Sequence, residues 1–471
     1  MKFSLGGVQA NYDSVKSRAE VVNLYPEGDK SGYKTLRKCE GLTLFATLPL
    51  GPVRSEPFVN SGFVYVVSGS TLYRVDENGA VETLGVVNGS GRAKIAANSV
   101  PGDNQILILN GSGVGYTYTN AAGVVAISDA DFFNSSSVTV LDERFWLARD
   151  GSNEFFGSDQ SDGTSYNPLT FGSADESPDD VVAVIQKKSA LWVVGNEKTE
   201  YFQRFDDTTF PLRAVKGGTK EYGTLNVDTV AEVNDFWAML ADDRTVRIMN
   251  GTQLTELSDL DFQLKIKGNG TATLPGFDVV SDAYGFFVDG PVHSIYYLTF
   301  PTEGYTIGFD IKTGLSHRRE SEGLGYWRAN GAAKFGSKII CGDAVDGALW
   351  ELDISNRTEN DDLIRTKLIT PSISFPHNVT ISDIELDMEV AQTDDPTADP
   401  QIMVYYTKDG GNTWIQKGNI SVGKYGNHGF RAPLRNFGRL VRNKEFALRL
   451  ETTDDIGVQY YGAEIHMGKS I

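Results

Sequence analysis

A repeated pattern of apolar and polar positions runs along the larger part of this chain. Each unit has an apolar run, a turn rich in Gly, Asp or Asn, and a second run rich in aromatic residues. Successive units begin 42, 39, 46, 46, 59 and 43 residues apart. Hairpins at this spacing match the four-stranded blade of a β-propeller, in which neighbouring units cover each other's faces. The units begin at Phe63, Gln105, Arg144, Ala190, Phe236, Ile295 and Lys338.

The spacing predicts an all-β protein whose main body is a propeller of about seven blades, with about six to eight also compatible. A large, irregular β-sandwich is the alternative. The 59-residue interval could hold an extra element, and residues 20–50 could supply a closing strand or a separate docking segment. We therefore predict an N-terminal extension at residues 1–50 and the propeller at residues 51–354.

The pattern changes after Asp353. A polar, turn-like stretch, SNRTENDD (355–362), is a reasonable domain boundary. Beyond it come several strand-like segments, and one of them, TISDIELDMEV (380–390), alternates apolar and polar residues. Strict alternation indicates a strand with one packed face and one wet face. The last part of the chain, residues 355–471, is therefore predicted to be a β-sandwich.

Composition supports this fold class and narrows the partners. The chain has 50 glycines, and its aromatic residues are spread along its whole length, which suits short strands joined by tight turns. Its net charge of −19 argues against a protein that grips nucleic acid with its whole surface. The charge is still compatible with a protein past which DNA slides.

The cysteines and the N-terminus indicate the compartment. Cys39 and Cys341 lie far apart and form no motif, which favours a reducing compartment. The N-terminal residues lack the apolar run of a signal peptide, and no stretch of about 18 apolar residues occurs. We expect a soluble protein that is assembled in the cytoplasm and has no membrane-spanning segment.

One short motif suggests sugar chemistry. TKDGGNTW (407–414) fits the Asp-box pattern S/T-x-D-x-G-x-T-W, best known from the propeller blades of sialidases. In such a turn the aspartate bonds backbone amides, the glycines supply unusual dihedrals and the tryptophan packs back on the hairpin. A sialidase needs several such boxes, an arginine cluster and a nucleophile pair, whereas this box stands outside the seven repeats. We predict a structural turn made by Thr407, Asp409, Gly411, Thr413 and Trp414.

No other motif predicts catalysis or a cofactor. The five histidines show no metal-ligand spacing, and the glycine-rich stretches lack the phosphate-loop pattern. We interpret the remaining carboxylates as solvated charges on loops. We therefore expect no enzyme activity, no metal and no cofactor.

A basic segment at residues 424–449 stands out against the acidic background. It could contact phosphate or an acidic partner surface, or it could be a solvated face that pairs with the chain's own acidic loops. Basic and acidic surfaces on one chain would be complementary between subunits. The candidate assembly or DNA-contact residues are Lys424, Arg431, Arg435, Arg439, Arg442, Lys444 and Arg449.

Six stretches in chain order resemble a known family. The chain is similar to the tail-hub, or nozzle, proteins of short-tailed bacteriophages, the packaged DNA stabilisation or tail accessory factor family. The pair Cys39–Glu40 departs from the Thr-Pro expected before Gly41, which puts only a turn in doubt. The stretches are EVVNLYPE (20–27), EGLTLFATLPLGPVR (40–54), VYVVSGSTLYRV (64–75), NPLTFGSADESPDDVVAV (167–184), LWVVGNEKTEYFQR (191–204) and FGRLVRNKEFALRLETTDDIGVQYYGAEI (437–465).

The resemblance implies a structural virion protein. Such proteins form a homo-hexameric ring below the portal and its adaptor, contact tailspikes or tail fibres, and work with a tail needle or plug to retain DNA. The double-stranded DNA would pass through the ring without sequence-specific binding. A glycan-binding tail adhesin and a sialidase-like hydrolase are the alternative functions.

Overall fold

The computed structural model describes residues 2–3, 19–28, 35–100, 103–176, 179–207, 209–268, 275–390, 395–427 and 432–469. The described residues lie mostly in β-strands, as the apolar and alternating runs predict. Five strands of the described residues precede the first blade. They are β1 (Lys2–Phe3), β2 (Glu20–Val22), β3 (Leu24–Glu27), β4 (Thr35–Lys38) and β5 (Gly41–Thr47).

Seven antiparallel blades follow in the described chain. Blade 1 contains β6 (Phe58–Asn60), β7 (Phe63–Ser68), β8 (Thr71–Val75) and β9 (Val81–Val86). Blade 2 contains β10 (Lys94–Ala97), β11 (Ile106–Leu109), β12 (Gly115–Thr119) and β13 (Gly123–Ala126). Blade 3 contains β14 (Val138–Leu141), β15 (Arg144–Ala148), β16 (Glu154–Asp159) and β17 (Asp162–Ser173). Blade 4 contains β18 (Val181–Lys187), β19 (Ala190–Gly195), β20 (Thr199–Arg204) and β21 (Leu212–Ala214).

The last three blades are less regular in sequence. Blade 5 contains β22 (Ala231–Val233), β23 (Phe236–Leu240), β24 (Val246–Asn250) and β25 (Gln253–Glu256). Blade 6 contains β26 (Tyr284–Asp289), β27 (Ser294–Phe300), β28 (Tyr305–Asp310) and β29 (Ser316–Arg318). Blade 7 contains β30 (Ala329–Phe335), β31 (Lys338–Asp343) and β32 (Ala348–Asp353).

The blades form a closed ring, because an apolar core lies between every pair of consecutive blades. Trp146 of blade 3 packs with Val193 of blade 4, for example. Ile340 of blade 7 packs with Val66 of blade 1, which closes the ring. The first strands of neighbouring blades contact one another from blade 5 round to blade 4, and they therefore surround the axis. The predicted propeller is confirmed.

Strand β5 supplies the fourth strand of blade 7. It pairs antiparallel with β32, from Thr47 opposite Ala348 to Gly41 opposite Asp353. The first and last parts of the propeller are therefore joined by backbone hydrogen bonds. This pairing resists opening of the ring, because the ring cannot open at blade 7 without breaking the β5–β32 ladder.

The long interval between the fifth and sixth units contains a short helix, α1 (Leu260–Lys267). The Asp259 side chain caps its start by accepting a hydrogen bond from the Phe262 amide at 2.9 Å. Phe262 and Ile266, four residues apart, bury one face of the helix in the core between blades 5 and 6. The extra residues thus cover the outside of that core.

Charged side chains close the propeller axis at one level. Lys94 Nζ of blade 2 lies 3.2 Å from Asp228 Oδ1, which precedes blade 5 on a 3₁₀ turn (Val227–Thr229). Arg92 lies between Glu56, at 3.6 Å, and the ring of Tyr284 in blade 6, at 4.6 Å. Blades 2 and 5 are three places apart in a ring of seven, so the Lys94–Asp228 pair crosses the axis.

The second domain is a sandwich of two sheets. Two short strands, β33 (Thr358–Glu359) and β34 (Asp362–Leu363), first extend the sheet of blade 7 beyond β5. The two sandwich sheets enclose one apolar core, in which Ile384, Val404 and Leu450 are fully buried. The remaining strands are β35 (Thr366–Ile369), β36 (Ile373–Ser374), β37 (Val379–Met388), β38 (Gln401–Thr407), β39 (Ile415–Ser421), β40 (Ala432–Leu440), β41 (Glu445–Thr452) and β42 (Gln459–Lys469).

The N-terminal strands join the two domains. β2 lies between β29 of blade 6 and β35 of the sandwich, so one ten-stranded sheet runs through both. β3 and β4 belong to the other sandwich sheet, whose order is β3-β4-β42-β37-β40. The division at residues 50 and 354 stays a prediction, and these pairings favour assigning the strands β2, β3 and β4 to the sandwich.

Candidate functional site: the Asp-box turn and the basic segment

The Asp-box turn connects β38 to β39 at the tip of a hairpin. Asp409 organises it: its Oδ1 accepts hydrogen bonds from the Thr407 hydroxyl at 2.7 Å and the Thr413 amide at 3.0 Å. Its Oδ2 accepts one from the Thr413 hydroxyl at 2.6 Å. The Thr407 hydroxyl oxygen accepts a hydrogen bond from the Gly411 amide at 3.0 Å. Both carboxylate oxygens therefore hold the turn.

The hydrogen bonds also fix the charge of Asp409. The Thr413 hydroxyl and amide, followed by the Thr407 hydroxyl, hold the pKa of the Asp409 carboxyl well below its usual range. A carboxylate held in this way is a poor proton donor or acceptor near neutral pH. The structural role of this turn stays a prediction, which these hydrogen bonds favour.

Trp414 lies half-buried beside the neighbouring strand. The guanidinium of Arg449, on β41, lies 5.8 Å from the centre of the Trp414 ring and 4.3 Å from that of Tyr405. Arg449 Nε also lies 2.6 Å from Glu451 Oε1. Arg449 thus joins two strands of one sheet, and among the described residues of the basic segment it is the cation that lies beside a carboxylate.

Replacing Gly410 with alanine is expected to destabilise the sandwich by about 1–2 kcal/mol. Gly410 has a φ of +73°, and a Cβ there would lie 2.6 Å from Glu445 Oε2. Urea unfolding followed by circular dichroism measures the loss. Gly426→Ala is the matched control for φ, since Gly426 has a φ of +77° and open space at its Cβ position. A loss no larger than that of Gly426→Ala would contradict the steric part of the prediction.

Most of the described residues of the basic segment lie on or beside β40, the edge strand of one sandwich sheet. Arg435 and Arg439 lie on its exposed face, opposite Asp383 and Thr380 of β37. Arg442 and Lys444 are exposed on the turn between β40 and β41. Lys424 is exposed on the loop that follows β39, at the other end of that strand from the Asp-box turn. The remaining predicted residue, Arg431, lies outside the described residues.

The structure adds two lysines that the sequence analysis missed. Lys408, within the Asp-box turn, donates from Nζ to the Arg439 carbonyl at 3.0 Å. Lys417, on β39, donates to the Asn436 carbonyl at 3.1 Å. Both lie on the other sandwich sheet and reach across to β40. No sequence pattern indicates these contacts, because both lysines lie outside the basic segment, in the preceding hairpin.

The Asp-box turn and the basic segment are therefore one region. Lys408 connects the turn to β40, and the Gly410 amide donates to the Glu445 carbonyl at 3.3 Å. Within the described chain, neither lysine nor Arg435, Arg439, Arg442 or Lys444 forms an ion pair with a carboxylate. We call this set of six cations the basic edge.

The described ranges contain neither a candidate metal site nor a candidate membrane-spanning helix. No group of three or more His, Cys, Asp or Glu side chains among these residues could hold a metal ion. No helix in this part of the chain has the length and apolar character needed to cross a bilayer. Cys39 and Cys341 are both buried and unbonded to each other.

Distant structures resemble the chain only weakly. Virginiamycin B lyase of Staphylococcus aureus is 9% identical, with 66% of this chain and 98% of that chain covered and a TM-score of 0.44. The Pan2 WD40 domain of Neurospora crassa is 8% identical, with 67% and 96% covered and a TM-score of 0.43. BamB of Moraxella catarrhalis is 11% identical, with 74% and 100% covered and a TM-score of 0.38. Likenesses this weak carry no conclusion about activity, and no curated protein matches the chain.

Two family models cover nearly the whole chain in order. Residues 9–356 match the model for "Bacteriophage P22 Gp10, beta-propeller". Residues 365–468 match the model for "Bacteriophage P22 Gp10, beta-sandwich". The two matches divide between residues 356 and 365, close to the passage from blade 7 to the sandwich strands, and the propeller match also includes β2, β3 and β4, which the structure joins to the sandwich sheets. The chain therefore belongs to the bacteriophage P22 Gp10 family, the tail nozzle and DNA-stabilisation proteins of short-tailed phages.

Proposed function

We propose that this chain is a structural virion protein that forms the nozzle ring of a short phage tail. Six copies would surround the DNA exit channel below the portal and its adaptor and help to retain the packaged DNA. The ring would carry tailspikes or tail fibres and meet a tail needle or plug. Its assembly would take place in the host cytoplasm, and its final location would be the virion.

The ten-stranded sheet that runs through blade 6 and the sandwich carries this proposal. Val22 of β2 pairs with Arg318 on one side and with Lys367 on the other. The propeller and the sandwich are therefore joined by backbone hydrogen bonds on both sides of β2, without a flexible linker between them. A ring that confines DNA under pressure needs subunits that do not bend, and a shared sheet provides this stiffness.

The charge of the chain supports the same role. With a net charge of −19, most of the surface repels the phosphate backbone at close range. DNA would then slide through the ring without being held by the wall. A wall lined mostly by Lys and Arg would contradict this part of the proposal.

We expect the purified full-length chain to assemble into a closed ring of six copies with an axial hole. Native mass spectrometry gives the number of copies, and low-resolution electron microscopy shows the hole. A monomer or a trimer would contradict the nozzle proposal, and a trimer would favour the adhesin alternative.

In the phage itself, particles that lack the protein should expose their packaged DNA to nuclease, whereas complete particles should protect it.

A further inference from the structure

The basic edge exposes side chains that suit contact with another protein surface. Besides its six cations it exposes two large apolar residues, Ile415 at 47% and Val441 at 54%. Ile415 begins β39 directly after the Asp-box turn, and Val441 begins the turn after β40. Arginines next to exposed apolar side chains are typical of protein–protein contacts. A surface that binds only phosphate has no use for the apolar groups.

The backbone of β40 is closed to an added strand. Asn436 has a φ of +64° and Gly438 a φ of +74°, so the strand departs from extended geometry at two positions. Lys408 and Lys417 already occupy the carbonyls of Arg439 and Asn436. Lysines and bulges of this kind protect edge strands from pairing with another strand. A partner must therefore contact the side chains of the basic edge.

A surface with the opposite charge lies between blades 3 and 4. Asp175 and Glu176 are exposed after β17, and the Glu176 amide donates to Glu200 Oε1 at 2.8 Å. Glu197 is exposed on the next hairpin, and its amide donates to Asp179 Oδ2 at 2.6 Å. These contacts hold carboxylates of both blades together. Burial and then the nearby Glu176, Asp175 and Asp179 raise the pKa of the Glu200 carboxyl.

This surface also exposes apolar side chains. Leu169 is 65% exposed and Phe171 45% exposed, both on β17, the outer strand of blade 3. Phe205, at 47%, follows β20 of blade 4. The Thr170 hydroxyl, on β17, donates to the carbonyl of Thr209, which lies between β20 and β21, at 3.1 Å. This hydrogen bond connects blade 3 to blade 4. We call the exposed residues the acidic rim, which comprises Leu169, Phe171, Asp175, Glu176, Asp180, Glu197 and Phe205.

The two surfaces lie on opposite sides of the molecule. β2 joins the sandwich to blade 6. β5 joins blade 7, which is next to blade 6, to β33. Blades 3 and 4 lie across the ring of seven from blades 6 and 7. When complementary surfaces lie on opposite sides of a subunit, contacts between copies run head to tail. Head-to-tail contacts close into a ring when the rotation between copies allows it.

We infer that the basic edge of one copy docks on the acidic rim of the next copy. The inference rests on the proposed nozzle ring and identifies its subunit interface. Charge complementarity and exposed apolar groups on both surfaces favour a second copy over DNA as the occupant of the basic edge. The partner in this contact is a protein surface of carboxylates and aromatic side chains.

Charge reversal tests the inference in the full-length chain. In one variant, Arg435→Glu and Arg439→Glu reverse the basic edge. In another, Asp175→Lys and Glu197→Lys reverse the acidic rim. Like charges across an interface oppose association, so we expect each variant to need a roughly 100-fold or more higher concentration for ring formation. The chain that carries all four substitutions should recover ring formation, because its surfaces are complementary again.

Sedimentation velocity measures assembly, and circular dichroism checks that each variant is folded. Rings that form normally in either charge-reversed variant, or a fourfold variant that stays monomeric, would overturn the inference while leaving the nozzle proposal standing. A wild-type chain that forms no ring would overturn the nozzle proposal, and the inference with it.

DNA binding is measured on the same proteins. If the Arg435→Glu, Arg439→Glu variant assembles normally but loses binding to a short duplex at low salt, DNA occupies the basic edge and the inference is wrong. Lys188→Glu with Lys334→Glu is the matched control, because it makes the same charge change at two exposed positions outside both surfaces. This control should assemble like the wild type.

Discussion

Replacing Arg319 with methionine is expected to lower the free energy of unfolding by about 3–5 kcal/mol, because it leaves a buried carboxylate without its cation. Arg319 is 1% exposed, and its Nη2 lies 3.9 Å from Oε1 of the buried Glu359. Its guanidinium donates to the Tyr25 hydroxyl at 3.2 Å and to the Glu40 carbonyl at 2.6 Å. The side chain also stacks on Trp327, with 3.7 Å from Cζ to the ring. One arginine thus connects the N-terminal segment to the propeller.

Urea unfolding monitored by tryptophan fluorescence measures this loss. The exposed Arg213 serves as the control, and Arg213→Met should change stability by no more than about 0.5 kcal/mol. Adding Glu359→Gln to Arg319→Met should cost less than the sum of the two single changes, since the second removes the unpaired charge. A loss below about 1 kcal/mol for Arg319→Met would show that the Arg319–Glu359 pair contributes little.

The second large effect is expected at Glu20, on the strand that joins the two domains. Burial alone would raise the pKa of Glu20, but the charges of Arg318 and Lys367 and their hydrogen bonds outweigh burial and lower it from 4.5 to about 2. Glu20 Oε2 lies 2.5 Å from Lys367 Nζ, and Oε1 accepts a hydrogen bond from Arg318. The charged form of Glu20 therefore stabilises the folded protein by about 3 kcal/mol at pH 7.

The pH dependence has a definite sign. Because the pKa of Glu20 is lower in the folded state, its contribution is fully present above about pH 4.5 and is lost as the pH falls towards about 2. Glu20→Gln should therefore be less stable than the wild type at pH 7, and the difference should shrink between pH 4.5 and 2. Urea unfolding at several pH values tests this, with the exposed Glu77→Gln as control. A difference that does not change with pH would contradict the assignment.

The propeller was predictable because its signal is local. Each unit of the sequence is a hairpin of adjacent strands, such as β7 and β8, whose pairing needs only a short turn. The sandwich strand β37 was equally visible, since its buried and exposed positions alternate over most of its length. These elements can therefore be predicted from residues that lie close together in the sequence.

The N-terminal segment was harder to place for a physical reason. Apart from the pairing of β3 with β4, its strands pair with partners about 300 to 460 residues away, such as Gly41 with Asp353 and Lys2 with Glu464. No local pattern distinguishes a strand that closes a blade from one that joins a sandwich. A closing strand is one option that the sequence predicts, but local patterns do not divide the strands β2 to β5 among three sheets.

The basic segment was predictable in part. A run of cations in an acidic chain is visible in sequence, and most of its described members are exposed on or beside one edge strand. The sequence places Arg449 in the same run of cations, yet it lies on β41 and pairs with Glu451 of the same strand. Lys408 and Lys417 could not be included, because only the packing of one sheet on the other brings them to β40.

The Lys94–Asp228 pair has a consequence for the path of DNA. Since that pair and Arg92 close the propeller axis, no strand of DNA can thread through an individual subunit. In the proposed ring, the passage must be bounded by the outer surfaces of several subunits. Its bore is then set by how many copies the ring contains, and adding or removing one copy would change its diameter while every propeller stayed the same.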